Sequence, residues 1–227
     1  MKILNASYEI LTPISEGGIK ELKHIERIAR ECYKSNDRIV EDGSSAKKFV
    51  ANLIKSGHEA MIEHGPTLSV YFTVDRGVTH EMVRHREASY AQESTRYVNY
   101  SADKFGNEIN VIGIQNGIKL DNKMKQLPGE TIDMILDEWI NAIEDAERHY
   151  MNMINLGATP QIARSVLPSA TKAGITVTAN YREWRHVLNL RTPANAHPQI
   201  REVMIPLLRE LKTKIPVIFD DIQEVTE

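Results

Sequence analysis

The chain has 227 residues, 28 Lys+Arg against 31 Asp+Glu, a formal net charge of -3, 41% hydrophobic residues and one cysteine. That length suits a single domain able to bury a core without staples, and the slightly acidic balance excludes a general polynucleotide binder, which needs a basic excess to hold phosphate backbones. Cys32 alone allows no intrachain disulfide and no CxxC pair; with no signal-peptide core at Met1 to Ile10 and no run near the roughly 20 apolar residues of a membrane span, the expected setting is the cytoplasm, away from membranes.

Residues 2 to 10 read as one short strand. Ile19, Leu22, Ile25, Ile28, Ala29 and Cys32 then recur at helical spacing after Gly17-Gly18, which puts Cys32 on or near the core face. Ser44 or Ser45 is expected to cap a second helix through about Lys55, with Phe49, Leu53 and Ile54 inward and Gly57 at its end. From Thr67 to Asp75, Leu68, Val70, Phe72 and Val74 alternate with polar residues, the pattern of a strand. Gly77 turns the chain into a short helix ending near Arg84-His85-Arg86.

The stretch 101–126 is polar and rich in Gly and Asn, and reads as a long loop with one short strand at Asn110 to Ile114. Pro128 opens the longest helix, with Ile132, Ile135, Leu136, Trp139, Ile143, Ala146, Tyr150 and Ile154 as its buried face and Gly157 as its stop. A helix of that length often serves between subunits as well. Thr159-Pro160 restarts a helix carrying Arg164 and broken by Pro168. Ile175 to Thr178 reads as a strand, and Tyr181 to Leu190 and Gln199 to Lys212 as helices. The order of elements gives an α+β fold without the regular alternation of a βαβ wrap.

Standard motifs fail. No GxxxxGK[ST] phosphate loop and no GxGxxG after a strand occurs, so a nucleotide must be held some other way. His58-Glu59 with His64, and His80-Glu81 with His85, resemble a zinc helix only superficially. Their spacings of i+6 and i+5 set the rings about 120 to 140° apart on a helix, so no metal site is expected. The unusual stretch is 84–97, RHREASYAQESTRY, where arginine forks that match phosphate or carbonyl oxygens alternate with Ser and Gln able to read a ribose or heterocycle. Arg84 to Arg86 taken alone equally describe a solvated helix end.

Arg84, His85, Arg86, Ser89, Ser94 and Arg96 fill every fixed place of the pattern RHRxxSxxxxSxR, and the chain is thereby similar to the flavin-dependent thymidylate synthases. The resemblance extends to His58 through His64, to Ala163-Arg164-Ser165-Val166-Leu167-Pro168, and to Asn180 through Arg191. It implies one domain over 1–227, a twisted, mainly antiparallel sheet with flanking helices, and a homotetramer with FAD at subunit junctions. The implied reaction methylates dUMP to dTMP with methylenetetrahydrofolate and NADPH. The implied dUMP residues are Glu81, Arg84, Gln92, Glu93, Ser94, Thr95, Arg96, Arg164 and Arg191. Those implied for FAD are His58, Ala60, Glu63, Arg84, His85, Arg86, Gln92, Asn180, Arg182 and His186. Relatives often carry glutamine at the place of Glu81 and some carry asparagine at that of Ala91.

The residues also bear on mechanism directly. Methylation at C5 of uracil usually starts with a cysteine adding to C6. A Cys32 buried on an apolar stripe would be a poor nucleophile. The alternative is an arginine fixed against N3 and O2 or O4, stabilising negative charge on the ring so that C5 becomes nucleophilic; Arg191 is assigned that catalytic role, with Arg164 supporting the base. Two rivals remain open at this level: a nucleotide- or RNA-binding module stacking bases on Tyr90, Tyr97 and Tyr100, and a flavin-independent enzyme acting on a phosphorylated substrate.

Overall fold

The computed structural model describes residues 1–102 and 106–224. The expected first strand is two, β1 (Lys2–Leu4) and β2 (Ser7–Ile10), parted at Asn5-Ala6 and belonging to different sheets. Then follow helices α1 (Ile19–Ala29) and α2 (Ser44–Lys55), strand β3 (Leu68–Asp75), helix α3 (Arg76–Met82) and strands β4 (Ser89–Gln92) and β5 (Asn110–Ile112). The second half holds α4 (Gln115–Leu120), α5 (Gly129–Asn155), α6 (Pro160–Ala163), β6 (Lys172–Ala179), α7 (Tyr181–Arg191) and α8 (Pro198–Lys214).

The main sheet has the order β2-β3-β6-β4, antiparallel throughout, and β1 pairs in parallel with β5. Strands β3 and β6 run together from Leu68 opposite Ala179 to Asp75 opposite Lys172. Strict alternation makes one face of β3 apolar: Leu68, Val70, Phe72 and Val74 are fully buried. Against that face lie Leu22 and Ile25 of α1, Val50 of α2, Trp184 and Leu188 of α7 and Leu207, Leu208 and Leu211 of α8, forming one cluster. The Trp184 indole donates to Leu68 O at 2.9 Å, which ties α7 to the start of β3 without leaving a buried N–H unpaired. On the opposite face the Ser69 and Thr178 hydroxyls meet at 2.7 Å. A second, smaller cluster joins Tyr100, Ile109, Val111, Ile143, Tyr150 and Ala163.

Several sequence expectations need correction. Cys32 is exposed, because α1 stops at Ala29 and a tighter 3₁₀ turn, Arg30–Tyr33, follows; at three residues per turn the position that would complete the α-helical stripe rotates outward. Gly43, at φ 81°, caps α2 instead of a serine, and the Ser45 hydroxyl accepts from Val40 N–H. Inside α2, Ala46, Val50 and Leu53 are buried while Phe49 and Ile54 are only partly so. Within 101–126, residues 103–105 lie outside the described residues; the rest is not one loop, since Gln115–Leu120 forms α4, packed on α8 with Gly117 against Gln199 and Glu202. The stripe on α5 is buried only at Ile143 and Tyr150, and Ile132, Ile135, Leu136 and Trp139 remain half-exposed. Strand β6 is twice the expected length. No described helix is long and apolar enough to cross a membrane.

Candidate active site

Asp75 ends β3 and its carboxylate accepts from Val78 N–H at 2.7 Å, so the strand passes directly into α3 and fixes where Glu81 emerges. Asn180 does the same for α7, accepting from Glu183 N–H at 2.8 Å. These two helices bring together residues 110 positions apart. Arg191, at the end of α7, donates from Nε to His85 Nε2 at 3.0 Å, from Nη1 to Glu81 Oε2 at 2.7 Å and from Nη2 to the Glu81 carbonyl at 3.1 Å. Beneath the guanidinium lies an apolar floor of Met82, Trp184, Val187, Ile200 and Met204.

His85 is 6% exposed, and burial first, then the charge of Arg191 and the neighbouring His186, push its pKa down to about 4. A neutral ring is what the geometry requires: an arginine Nε–H always donates, so His85 Nε2 accepts and Nδ1 carries the single proton. The backbone holds the ring as well, since the Tyr90 hydroxyl donates to the carbonyls of Met82 and His85, each at 2.7 Å. His85 Nδ1 lies 3.7 Å from Glu183 Oε1, and the His85 and His186 rings meet edge to face at 5.7 Å. These three side chains are close enough to enclose a cation. As arranged they are not a ligand set, because a metal on Nδ1 would need the proton on Nε2, where Arg191 already donates. Burial raises the Glu183 carboxyl above its ordinary pKa.

Beside this cluster opens a cleft of ≈ 560 Å³ whose lining includes Glu59, Glu63, Glu87, Asn180, Arg182, Glu183, Arg185 and His186. Of the residues expected to hold a flavin dinucleotide, Glu63, Asn180, Arg182 and His186 line it, and Arg182 pairs with Glu63. His85 borders it through its contacts with Glu183 and His186. His58 and Ala60 are exposed on the turn that carries Glu59 and Glu63. Arg185 is 4% exposed and anchors α7 to Asp221, at 2.6 and 2.9 Å, and to Glu59 at 2.9 Å. The cleft's four carboxylates outnumber its two guanidiniums, a poor environment for a pyrophosphate on its own. Arg84 and Arg86 add two cations on the segment that carries His85. Both are exposed, their guanidinium groups have no protein partner among the described residues, and they flank His85 in sequence. Neither lines the cleft; as neighbours of His85 they are the unpaired cations that a phosphate-bearing ligand there could reach.

The remaining residues expected to hold dUMP lie elsewhere. Gln92 donates to the Thr79 hydroxyl at 2.9 Å. Glu93 accepts from Lys172 Nζ at 2.7 Å and from Gly174 N–H at 3.1 Å. Arg164 donates to the Thr95 hydroxyl at 3.4 Å, Ser94 Oγ accepts from Arg96 N–H at 3.3 Å, and the exposed Arg96 guanidinium sits 5.5 Å from the Tyr97 ring centre. Strand β4 runs antiparallel to β6, from Ser89 opposite Thr178 to Gln92 opposite Ile175. Thr95 and Arg164 therefore lie beyond the end of β4 remote from Asn180, and among the described residues neither Arg164 nor Arg96 contacts Arg191.

Some residues of this region escaped sequence reasoning. Glu59, Glu87, Glu183, Arg185, Asn189 and Leu190 line the cleft; all six stand inside the stretches 58–64, 84–97 and 180–191 already singled out and could have been carried along with them. His197, just past α7, puts Nδ1 3.2 Å from Glu81 Oε1, though without hydrogen-bond alignment. Nothing in its sequence surroundings marks it.

Residues 19–217 match the Thy1 family, described as thymidylate synthase complementing protein. A flavin-dependent thymidylate synthase of Corynebacterium efficiens is 32% identical over 206 residues, 89% of this chain and 80% of the relative. Those of Corynebacterium diphtheriae and Mycobacterium tuberculosis are 32% and 30% identical, over 88% and 89% of this chain and 78% and 80% of theirs. Among solved structures, the UMP/dUMP methylase PolB of Streptomyces cacaoi, bound with 5-Br dUMP, superposes with a TM-score of 0.79 at 20% identity, covering 97% of this chain and 96% of that one, which shows a shared fold. With nearly its whole length matched and with relatives at this identity, the chain belongs to the family of flavin-dependent thymidylate synthases, enzymes of the methyltransferase type.

Proposed function

We propose that this chain methylates dUMP to dTMP, drawing its carbon from methylenetetrahydrofolate and its reducing equivalents from NADPH through FAD, without a cysteine nucleophile. The observation that carries the reading is the anchored guanidinium of Arg191, which still has one unused N–H on Nη1 and one on Nη2. Directed at a uracil carbonyl, these N–H groups stabilise negative charge on a ring deprotonated at N3, which makes C5 nucleophilic enough to bond the folate-derived carbon; C5 then loses its own proton. When bound, the flavin supplies the hydride that completes the methyl group. His85 takes part as a neutral acceptor orienting Arg191, and Arg84, Arg86, Asn180, Arg182 and His186 hold the dinucleotide beside it.

Cys32 stays out of the mechanism, on new grounds. It is exposed, so burial does not disarm it; it lines a separate hollow with Arg27, Ile28, Glu31, Met61 and His64, none of which lines the cleft or touches Arg191. Among the described residues neither Arg164 nor Arg96 contacts Arg191 within one chain, as a homotetramer in which a second copy completes each site would require, and the half-exposed stripe of α5 supports the same assembly. We take residues 1–227 as one catalytic domain, cytoplasmic, with neither nucleic-acid polymer nor membrane as partner.

Purified protein should carry a flavin absorbance and oxidise NADPH to give dTMP only with dUMP and methylenetetrahydrofolate both present. A colourless protein that FAD does not reconstitute, or binding of dUMP with no dTMP under full reaction conditions, overturns the reading.

A further inference from the structure

We infer that Glu81 is a positioning residue for Arg191, acting through its carboxylate and its own backbone carbonyl together. The inference rests on Arg191 being the uracil-facing arginine. A guanidinium has five N–H donors, and three of those on Arg191 are committed: Nε to His85 Nε2, Nη1 to Glu81 Oε2 and Nη2 to Glu81 O. Anchors on all three nitrogens fix the guanidinium plane as well as its position, so the two N–H groups left over form a preorganised pair. One residue supplies two of the three anchors. The carbonyl anchor exists whatever side chain stands at 81, since α3 sets the backbone there. The carboxylate anchor is particular to the side chain, and its charge-assisted contact at 2.7 Å is the shortest of the three.

The surroundings are built to keep the carboxylate facing Arg191. Its other oxygen lies 3.2 Å from His197 Nδ1, without hydrogen-bond alignment, so the carboxylate is flanked by the end of α7 and by the segment entering α8. The side chains of Arg191 and Glu81 are 19% and 32% exposed, so their contact is partly shielded from water. Glutamine in place of Glu81 would keep an acceptor oxygen at the same reach and remove the charge. The inference therefore separates geometry from charge: a positioning residue tolerates Gln and does not tolerate Ala.

The test compares Glu81→Ala and Glu81→Gln in the flavin-loaded enzyme, reading kcat and KM for dTMP formation, dUMP affinity by titration calorimetry, flavin content and melting temperature. Expected for Glu81→Ala is a kcat lowered about 10- to 100-fold, the loss that follows a catalytic group displaced by a fraction of an ångström to one ångström, with flavin content retained. Glu81→Gln should return to within about threefold of the wild type in kcat, consistent with a neutral acceptor replacing a charged one. Wild-type kcat in Glu81→Ala overturns the inference. So does a Glu81→Gln as impaired as Glu81→Ala while binding dUMP normally, which would make the carboxylate a reacting group. Should Glu81→Ala lose its flavin or its fold, Glu81→Asp, which withdraws the carboxylate by one methylene, takes its place, with an intermediate loss expected and none overturning the inference. If the wild type binds dUMP and makes no dTMP, the functional reading alone falls; positioning is then read from dUMP affinity, weakened in Glu81→Ala and restored in Glu81→Gln.

Discussion

Two groups displaced from their ordinary pKa in opposite directions make a quantitative prediction for stability. His85 falls to about 4 from 6.5, by burial and then by Arg191 and His186, so the unfolded chain binds its proton more tightly than the native one. Its contribution is full above pH 6.5 and lost as pH falls towards 4, about 3 kcal/mol in all. Glu202 rises to about 7 from 4.5, by burial and then by the charge of Asp75, with hydrogen bonds from Gly117 and Asn116 pulling the other way. Its contribution is full below pH 4.5 and lost as pH rises towards 7, again about 3 kcal/mol. Between pH 5 and 6.5 each group changes stability by about 1.6 kcal/mol with opposite sign, so they largely cancel, with Glu183 adding a tilt in the direction of Glu202. At about 2 to 4 °C per kcal/mol for a chain of this size, His85→Gln should lose about 3 to 6 °C in Tm from pH 5 to 6.5. Glu202→Gln should gain the same amount over that range, and the wild type should change less than either. Differential scanning fluorimetry in matched buffers reads all three proteins. Slopes of the same sign in the two variants, or no slope in either, would refute the assignment.

Other expectations are simpler. Arg191→Ala should abolish dTMP formation by at least about 100-fold, the scale of losing a transition-state donor, while FAD stays bound; product assay with flavin absorbance decides it. Cys32→Ser should keep wild-type turnover, because the thiol lies in a hollow apart from the cleft, and a thiol mechanism returns if turnover vanishes in folded protein. Gly65→Ala would set a methyl 2.6 Å from Cδ2 of Tyr181, a ring 1% exposed and unable to give way, so a loss of about 1 to 3 kcal/mol is expected by denaturant titration.

What was legible in the sequence followed from period and punctuation. Strand β3 announced itself by alternation, and α5 by its 3.6-residue stripe between Pro128 and Gly157. The stripe could not say how much of itself would be buried within one chain, since an apolar face left half-open carries the same pattern as a face packed in the core. Strand β4 was hidden because Ser89, Tyr90, Ala91 and Gln92 alternate too briefly to be distinguished from a loop; only pairing with β6 defines it. Cys32 was misplaced because a helical period was extended three residues past the point where the helix tightens. At the site, resemblance supplied Arg191 and His85. The contact of Arg191 with both the side chain and the carbonyl of Glu81 depends on α3 and α7 being neighbours, which no local pattern contains.

The sequence has two tryptophans, and the fold separates their environments. Trp184 is fully buried under β3 with its indole N–H bonded, whereas Trp139 stands half-exposed on α5. Emission from Trp139→Phe would therefore track core collapse, and the difference from wild type would track whatever covers α5. Refolding followed in the two proteins can thus time the folding of the core and the covering of α5 separately, with no label attached.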